Sequence, residues 1–175
     1  MTQTDPFGNE PGTPSSPTTA TGMQFSADTL KQAGMGTKVA LVGAVLTFFG
    51  AFLPWGKVSV PSLGVSQTAS GTDGGDGTIT ILFAIAVGAL CVVQLMKGYN
   101  KGMAIGAIVC ASITALVGVM NYFDVKDVNG EFGGFDGVKV SVGLGLYLTI
   151  LAAFAMVAGS VLHLKEHGSD SSAAA

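Results

Sequence analysis

The chain has 175 residues, of which 49 % are hydrophobic and 11 % charged, with a net charge of −3 and no arginine. So apolar a chain cannot hide its surface in one soluble core without long uncharged runs, which points to a membrane. The scarcity of cations excludes a phosphate-binding surface for nucleic acid, since the largest basic feature is Lys97 with Lys101.

Residues 1–24 are rich in Pro, Thr, Ser and Gly and hold hardly an aliphatic side chain, so they read as a disordered tail. The first lysine is Lys31 and the first apolar run starts at Val39, which is not the order of a secretory signal. Within 25–37, Ser26 is placed to cap a short helix with Asp28 in its first turn, and Phe25, Leu30 and Met35 would lay it on a membrane surface.

A membrane domain is expected over 38–165, with spans at about 39–55, 79–96, 103–122 and 142–164 and a disordered tail over 166–175. Each run is free of charge and about as long as a helix needs to cross the hydrocarbon. The fold class is therefore an all-α membrane protein, a four-helix transmembrane bundle. Lys31, Lys38, Lys97, Lys101 and Lys165 fall on one side and Lys57, Lys126 and Lys139 on the other, which favours cytoplasmic termini by the bias of lysine toward inner loops.

Small residues mark where the spans meet, because lipid gives helices no hydrophobic reason to associate and close backbone approach must serve instead. Gly102, Gly106, Cys110, Thr114 and Gly118 recur every four residues in the third span, forming one stripe. Gly43 and Gly50 in the first span, Ala84 with Gly88 in the second and Ala155 with Gly159 in the fourth continue the pattern. Lys97-Gly98-Tyr99-Asn100-Lys101 is short enough to make spans two and three a hairpin. Pro54 ends the first span, and Trp55 is placed as an interface anchor.

In the outer loops the period changes to two. Lys57-Val58-Ser59-Val60, a Pro61-Ser62-Leu63-Gly64 turn and Val65-Ser66-Gln67-Thr68 read as strand, turn, strand, and Val138 to Val142 alternates again. Asn129-Gly130 is the pair that favours a type I′ hairpin. Strands from both loops are expected to pair into a small extracytoplasmic sheet. Gly74-Gly75-Asp76-Gly77 and Gly133-Gly134-Phe135-Asp136-Gly137 echo each other ahead of spans two and four.

Chemistry is sparse. Cys91 and Cys110 sit inside apolar runs and read as free thiols. No span holds an ionisable group at mid-depth, which argues against a proton-coupled transporter. The acids of the outer loops lack the spacing of a calcium loop and read as turn chemistry. His163-Leu164-Lys165-Glu166-His167 matches the H-x-x-E-H pattern of inverted zincins, but only Asp170 follows as a third ligand. The favoured reading is a helix end with His and Lys emerging into water. No catalytic, cofactor or metal residue is therefore assigned.

Phe52-Leu53-Pro54-Trp55, the following Val/Ser/Gly loop, Gly71-Thr72-Asp73-Gly74-Gly75-Asp76-Gly77 and Val142-Gly143-Leu144-Gly145-Leu146-Tyr147 resemble a group of small four-span membrane proteins of actinobacteria. The resemblance covers roughly 38–164 and implies a bacterial plasma membrane, with no activity attached. Four spans under an outer sheet are also similar to the plan of claudins, from which the chain departs by its single Trp and by lacking a cysteine pair in the first outer loop. The expected function is that of a non-enzymatic accessory subunit or scaffold, in contact with the bilayer and with a membrane partner or further copies of itself. The alternative is an oligomeric channel or passive transporter for an ion or small solute.

Overall fold

The computed structural model describes residues 31, 33–132 and 138–168. The expected tail at 1–24, residues 25–30 and 32 of the short helix expected ahead of the first span, residues 133–137 and the end beyond 168 lie outside the described residues. Four helices dominate: α1 (Met35–Phe52), α2 (Asp76–Lys97), α3 (Lys101–Phe132) and α4 (Leu144–Gly168). All four are long and apolar enough to cross a membrane, which makes this a multi-pass, four-span chain.

Helix ends follow local chemistry. At Leu53 the chain turns extended ahead of Pro54, because the residue before a proline is pushed out of the helical region. Lys97 occupies the last turn of α2 and Gly98, at φ 92°, closes it by donating its N–H to Gln94 O at 2.9 Å. Asn100 then caps α3, its Oδ1 accepting from the N–H of Gly102 at 2.9 Å and of Met103 at 3.2 Å. The α2–α3 hairpin thus forms as its short connection requires.

The strands are β1 (Pro54–Val60), β2 (Val65–Ser70) and β3 (Lys139–Val142), all antiparallel, in the order β2-β1-β3. Both long connections contribute, as the alternating sequence leads one to expect. Val58 sits opposite Gln67 on one side and Val140 on the other, and Gly64, at φ 64°, closes the turn between β1 and β2. Asp73 serves as turn chemistry: its Oδ2 accepts from Ser70 N at 2.6 Å in a capping box.

Two expectations for the sheet end fail. The Asn129-Gly130 hairpin does not form, because α3 runs through it to Phe132. A type I′ turn needs a partner strand on each side, and β3 has taken its place against β1 instead. The helix is 32 residues long, or about 48 Å, well beyond what a bilayer crossing needs. The second is Trp55, which is only 5 % exposed. Its Nε1–H donates to Gly50 O at 3.0 Å and its ring packs with Ala51 and Leu146, so it plugs the bundle where β1 departs instead of facing an interface.

The tightest packing joins the first helix to the last. A Cβ added to Gly43 would stand 2.8 Å from both Ala152 O and Met156 N, and one on Gly36 would stand 2.7 Å from Gly159 O. Buried Gly36, Ala40, Gly43, Thr47 and Gly50 recur every three or four residues along α1 and fit against Thr149, Ala153, Met156 and Gly159 of α4. Helices far apart in sequence are thereby brought together.

Candidate functional site

The helix bundle has two different ends. At one, the start of α1, the end of α2, the α2–α3 turn and the end of α4 converge on a polar cluster. At the other, the sheet covers the bundle and leaves an apolar slot.

His163 is the hub of the first. It is 8 % exposed, on the face of α4 turned toward α1 and α2. Its Nε2 lies 2.8 Å from Gln94 Oε1 of α2, and its Nδ1 lies 2.9 Å from Thr37 Oγ1 of α1. An amide oxygen only accepts, so Nε2 carries the proton and Nδ1 accepts from the Thr37 hydroxyl. One neutral imidazole thus links three helices.

The rest of the cluster follows from helical spacing. Three and four residues after His163, Glu166 and His167 return to the same face. Gly36 N donates to the Glu166 carboxylate, at 3.2 Å to Oε1 and 3.4 Å to Oε2, a favourable place for an anion at the start of α1. His167 donates from Nδ1 to its own helix at His163 O, 3.1 Å away. Tyr99 of the turn stacks on the His167 ring at 4.7 Å between centroids and meets His163 edge-on at 5.6 Å. Gln94 is 4 % exposed and its Nε2 has no hydrogen-bond partner. One donor atom from each of His163, Glu166 and His167 lies within 4.8 Å of the others, an arrangement able to hold a metal ion. The sequence reading sent this helix end into water. It missed the burial of His163 because Thr37 and Gln94 stand 126 and 69 positions away.

At the sheet end, Val58, Val60, Val65, Ala69 and Val140 share one face of the sheet with the α3 residues Val125 and Val128 opposite. Between them is a largely apolar cavity of about 520 Å³; Gln67 stands on the same face, opposite Val58, and Lys57, Thr68 and Asp124 also line it. The alternation that makes the strands also makes this face. Lys57, Ser59, Ser66, Lys139 and Ser141 occupy the alternate positions of the three strands. Val58, Val65 and Val128 are still exposed, Val65 by 58 %. β2 is an edge strand on which nearly every residue is exposed.

The small residues named from sequence are divided between neighbours. In the α3 stripe, Gly118 is buried and a Cβ there would stand 3.0 Å from Ile150 Cγ1 of α4, and Thr114 is fully buried with its hydroxyl donating to Cys110 O. Gly106 faces Leu90 of α2 with room to spare, since an added Cβ would stand 3.7 Å from Leu90 Cδ1, and Gly102 is exposed beside Asn100. Cys110 is half-buried, and both cysteines are free thiols. Ala84 is buried, Gly88 half-buried where an added Cβ would stand 3.9 Å from Ala44 of α1, and Ala155 half-buried, whereas Gly159 sits deep in the α1–α4 seam. The stripe is thus a face shared by α2 and α4, not a groove for one helix.

Comparison with known proteins gives no match to a family model, to a curated protein or to a solved structure, so what the chain does has to be read from these two ends.

Proposed function

We propose that the chain is a non-enzymatic subunit or scaffold of a membrane complex, and that it engages an apolar segment of a membrane partner at its sheet end. The observation that carries this reading is the cavity of about 520 Å³ beneath a largely apolar strand face that the described residues leave partly exposed. Valines exposed together at one face are costly in water unless a partner covers them. The open edge of β2 adds a second means of attachment, since an edge strand presents unpaired backbone groups to an incoming strand.

The same reading puts the bundle in a bacterial plasma membrane with both termini cytoplasmic and the sheet outside, in line with the lysine bias of the loops. On this reading Tyr122 of α3 and Tyr147 of α4, whose rings lie 6.0 Å apart, would mark the membrane surface, where aromatic residues are favoured. Beyond them α3 would leave the lipid, and it supplies the wall of the slot. Passage of a solute through a single copy is disfavoured by the seams, where glycine and alanine close the backbones against one another and leave little room for a pore.

Val65→Asp tests the reading. Val65 is exposed, so the chain should fold as before, while a carboxylate enters the slot. Purification from native membrane in mild detergent should return a membrane partner at fixed stoichiometry with the wild type and lose it with Val65→Asp. Crosslinking that yields only the chain itself, or a partner retained at full yield by Val65→Asp, overturns the proposal.

A further inference from the structure

We propose that His163, Glu166 and His167 at the end of α4 bind one divalent transition-metal cation of the zinc class. This inference is independent of the partner reading, because it concerns the opposite end of the bundle.

Spacing provides the ligand set. Two imidazoles at i and i+4 with a carboxylate at i+3 project from one side of a helix, and one donor atom from each lies within 4.8 Å of the others. In a tetrahedral site with bonds of about 2.0–2.1 Å, ligand atoms stand roughly 3.4 Å apart. Closing that difference takes rotation of the three ligand side chains, and of Thr37, whose hydroxyl stands on His163 Nδ1.

The hydrogen bonds around the rings are those a metal site requires. A metal-ligating histidine commonly donates its other ring N–H to an oxygen acceptor, which fixes the tautomer and aims the free lone pair. Both histidines here are held in this way. His163 donates from Nε2 to Gln94 Oε1, leaving a lone pair on Nδ1, and His167 donates from Nδ1 to His163 O, leaving one on Nε2. The Nδ1 lone pair accepts from the Thr37 hydroxyl in the metal-free chain, and a cation takes that lone pair only when the Thr37 side chain rotates away, because a contact of 2.9 Å has no room for a metal between the two atoms.

Gln94 supplies a second, independent observation. It is 4 % exposed inside a span, and its amide nitrogen has no partner. An apolar residue would fill that place without stranding a buried donor. What Gln94 contributes is its oxygen, directed at His163 Nε2. Glu166 needs only one oxygen for the metal, and the other stays on Gly36 N–H at the start of α1. Tyr99 covers the His167 ring and limits water on that side. Two imidazoles and one carboxylate suit Zn²⁺, Co²⁺ or Ni²⁺ over Mg²⁺ or Ca²⁺, which favour all-oxygen ligand sets. Three protein ligands leave a fourth position for water.

The chain contains only two histidines, so any imidazole signal can be assigned. Full-length protein in detergent, carrying no histidine tag, is titrated with Co²⁺ and then with Zn²⁺. The expected result is one Co²⁺ per chain with the visible bands of a four-coordinate site, displaced by Zn²⁺. Affinity should fall at least tenfold in His167→Ala and in Glu166→Gln, and tenfold to a hundredfold in Gln94→Leu, which touches no metal. Zinc-edge absorption on the wild-type protein needs no variant: two imidazoles in the zinc shell support the site, and a shell without imidazole overturns it. Co²⁺ binding that is equally tight in wild type and His167→Ala overturns it as well.

Discussion

The α2–α3 hairpin and the α1–α4 seam are both made from small side chains, yet the two pairs of helices meet at different distances. In the hairpin, a methyl group added at Gly106 would find Leu90 at 3.7 Å, an ordinary contact. In the seam, a methyl at Gly43 would be driven to 2.8 Å from the backbone of α4. Connectivity accounts for the difference. A turn of three residues already holds α2 beside α3, so their packing need not be close. The first and last helices share no short link, and in lipid the attraction between them comes from backbone contact and polar bonds. The seam has both, with glycines along its length and His163 at its end.

The comparison breaks most decisively at Gly159. A Cβ there would collide with the backbone nitrogen of Ala40 and stand 2.8 Å from Gly36 O, neither of which is a flexible side chain. Gly159→Leu should therefore cost more than the usual overpacking penalty of about 1–3 kcal/mol, and the variant is expected to lose its cooperative thermal transition in detergent. Next in size is His163→Ala. It removes the bonds to Thr37 and Gln94 together, strands both amide atoms of a buried glutamine and leaves a cavity, a loss of about 2–4 kcal/mol. Thermal unfolding with and without Zn²⁺ checks it: the apo protein should melt lower than wild type, and Zn²⁺ should raise the midpoint of the wild type only.

The four spans were legible in the sequence because the absence of charge over about twenty residues is a property of single segments. The sheet was legible for the same reason, since alternation in Lys57-Val58-Ser59-Val60 needs no knowledge of a partner. What was hidden depends on pairs. The stripe from Gly102 to Gly118 marks a closely packed face but does not say whose, and the structure divides it between α2 and α4. Asn129-Gly130 carries a turn signal that a helix overrides once β3 is engaged elsewhere. Trp55 is suited by type to an interface, but the bend at Pro54 directs it inward onto Gly50. The histidine pair was visible as a motif, whereas the glutamine and threonine that orient it belong to other helices.

The smallest effect sharpens the comparison from the loose side. Gly106 lies within α3 and is half-buried, and the nearest atom to an added Cβ is the mobile end of Leu90. Alanine is favoured over glycine inside a helix by up to about 1 kcal/mol, because glycine has more backbone freedom to lose on ordering. With no clash to offset that gain, Gly106→Ala should leave the thermal midpoint unchanged or raise it slightly. A substantial fall would mean that α2 and α3 approach as closely as α1 and α4, and that the hairpin depends on backbone contact after all. An unchanged or raised midpoint, set beside the collapse of Gly159→Leu, would show that glycine acts as a packing residue only where no short turn holds the two helices together.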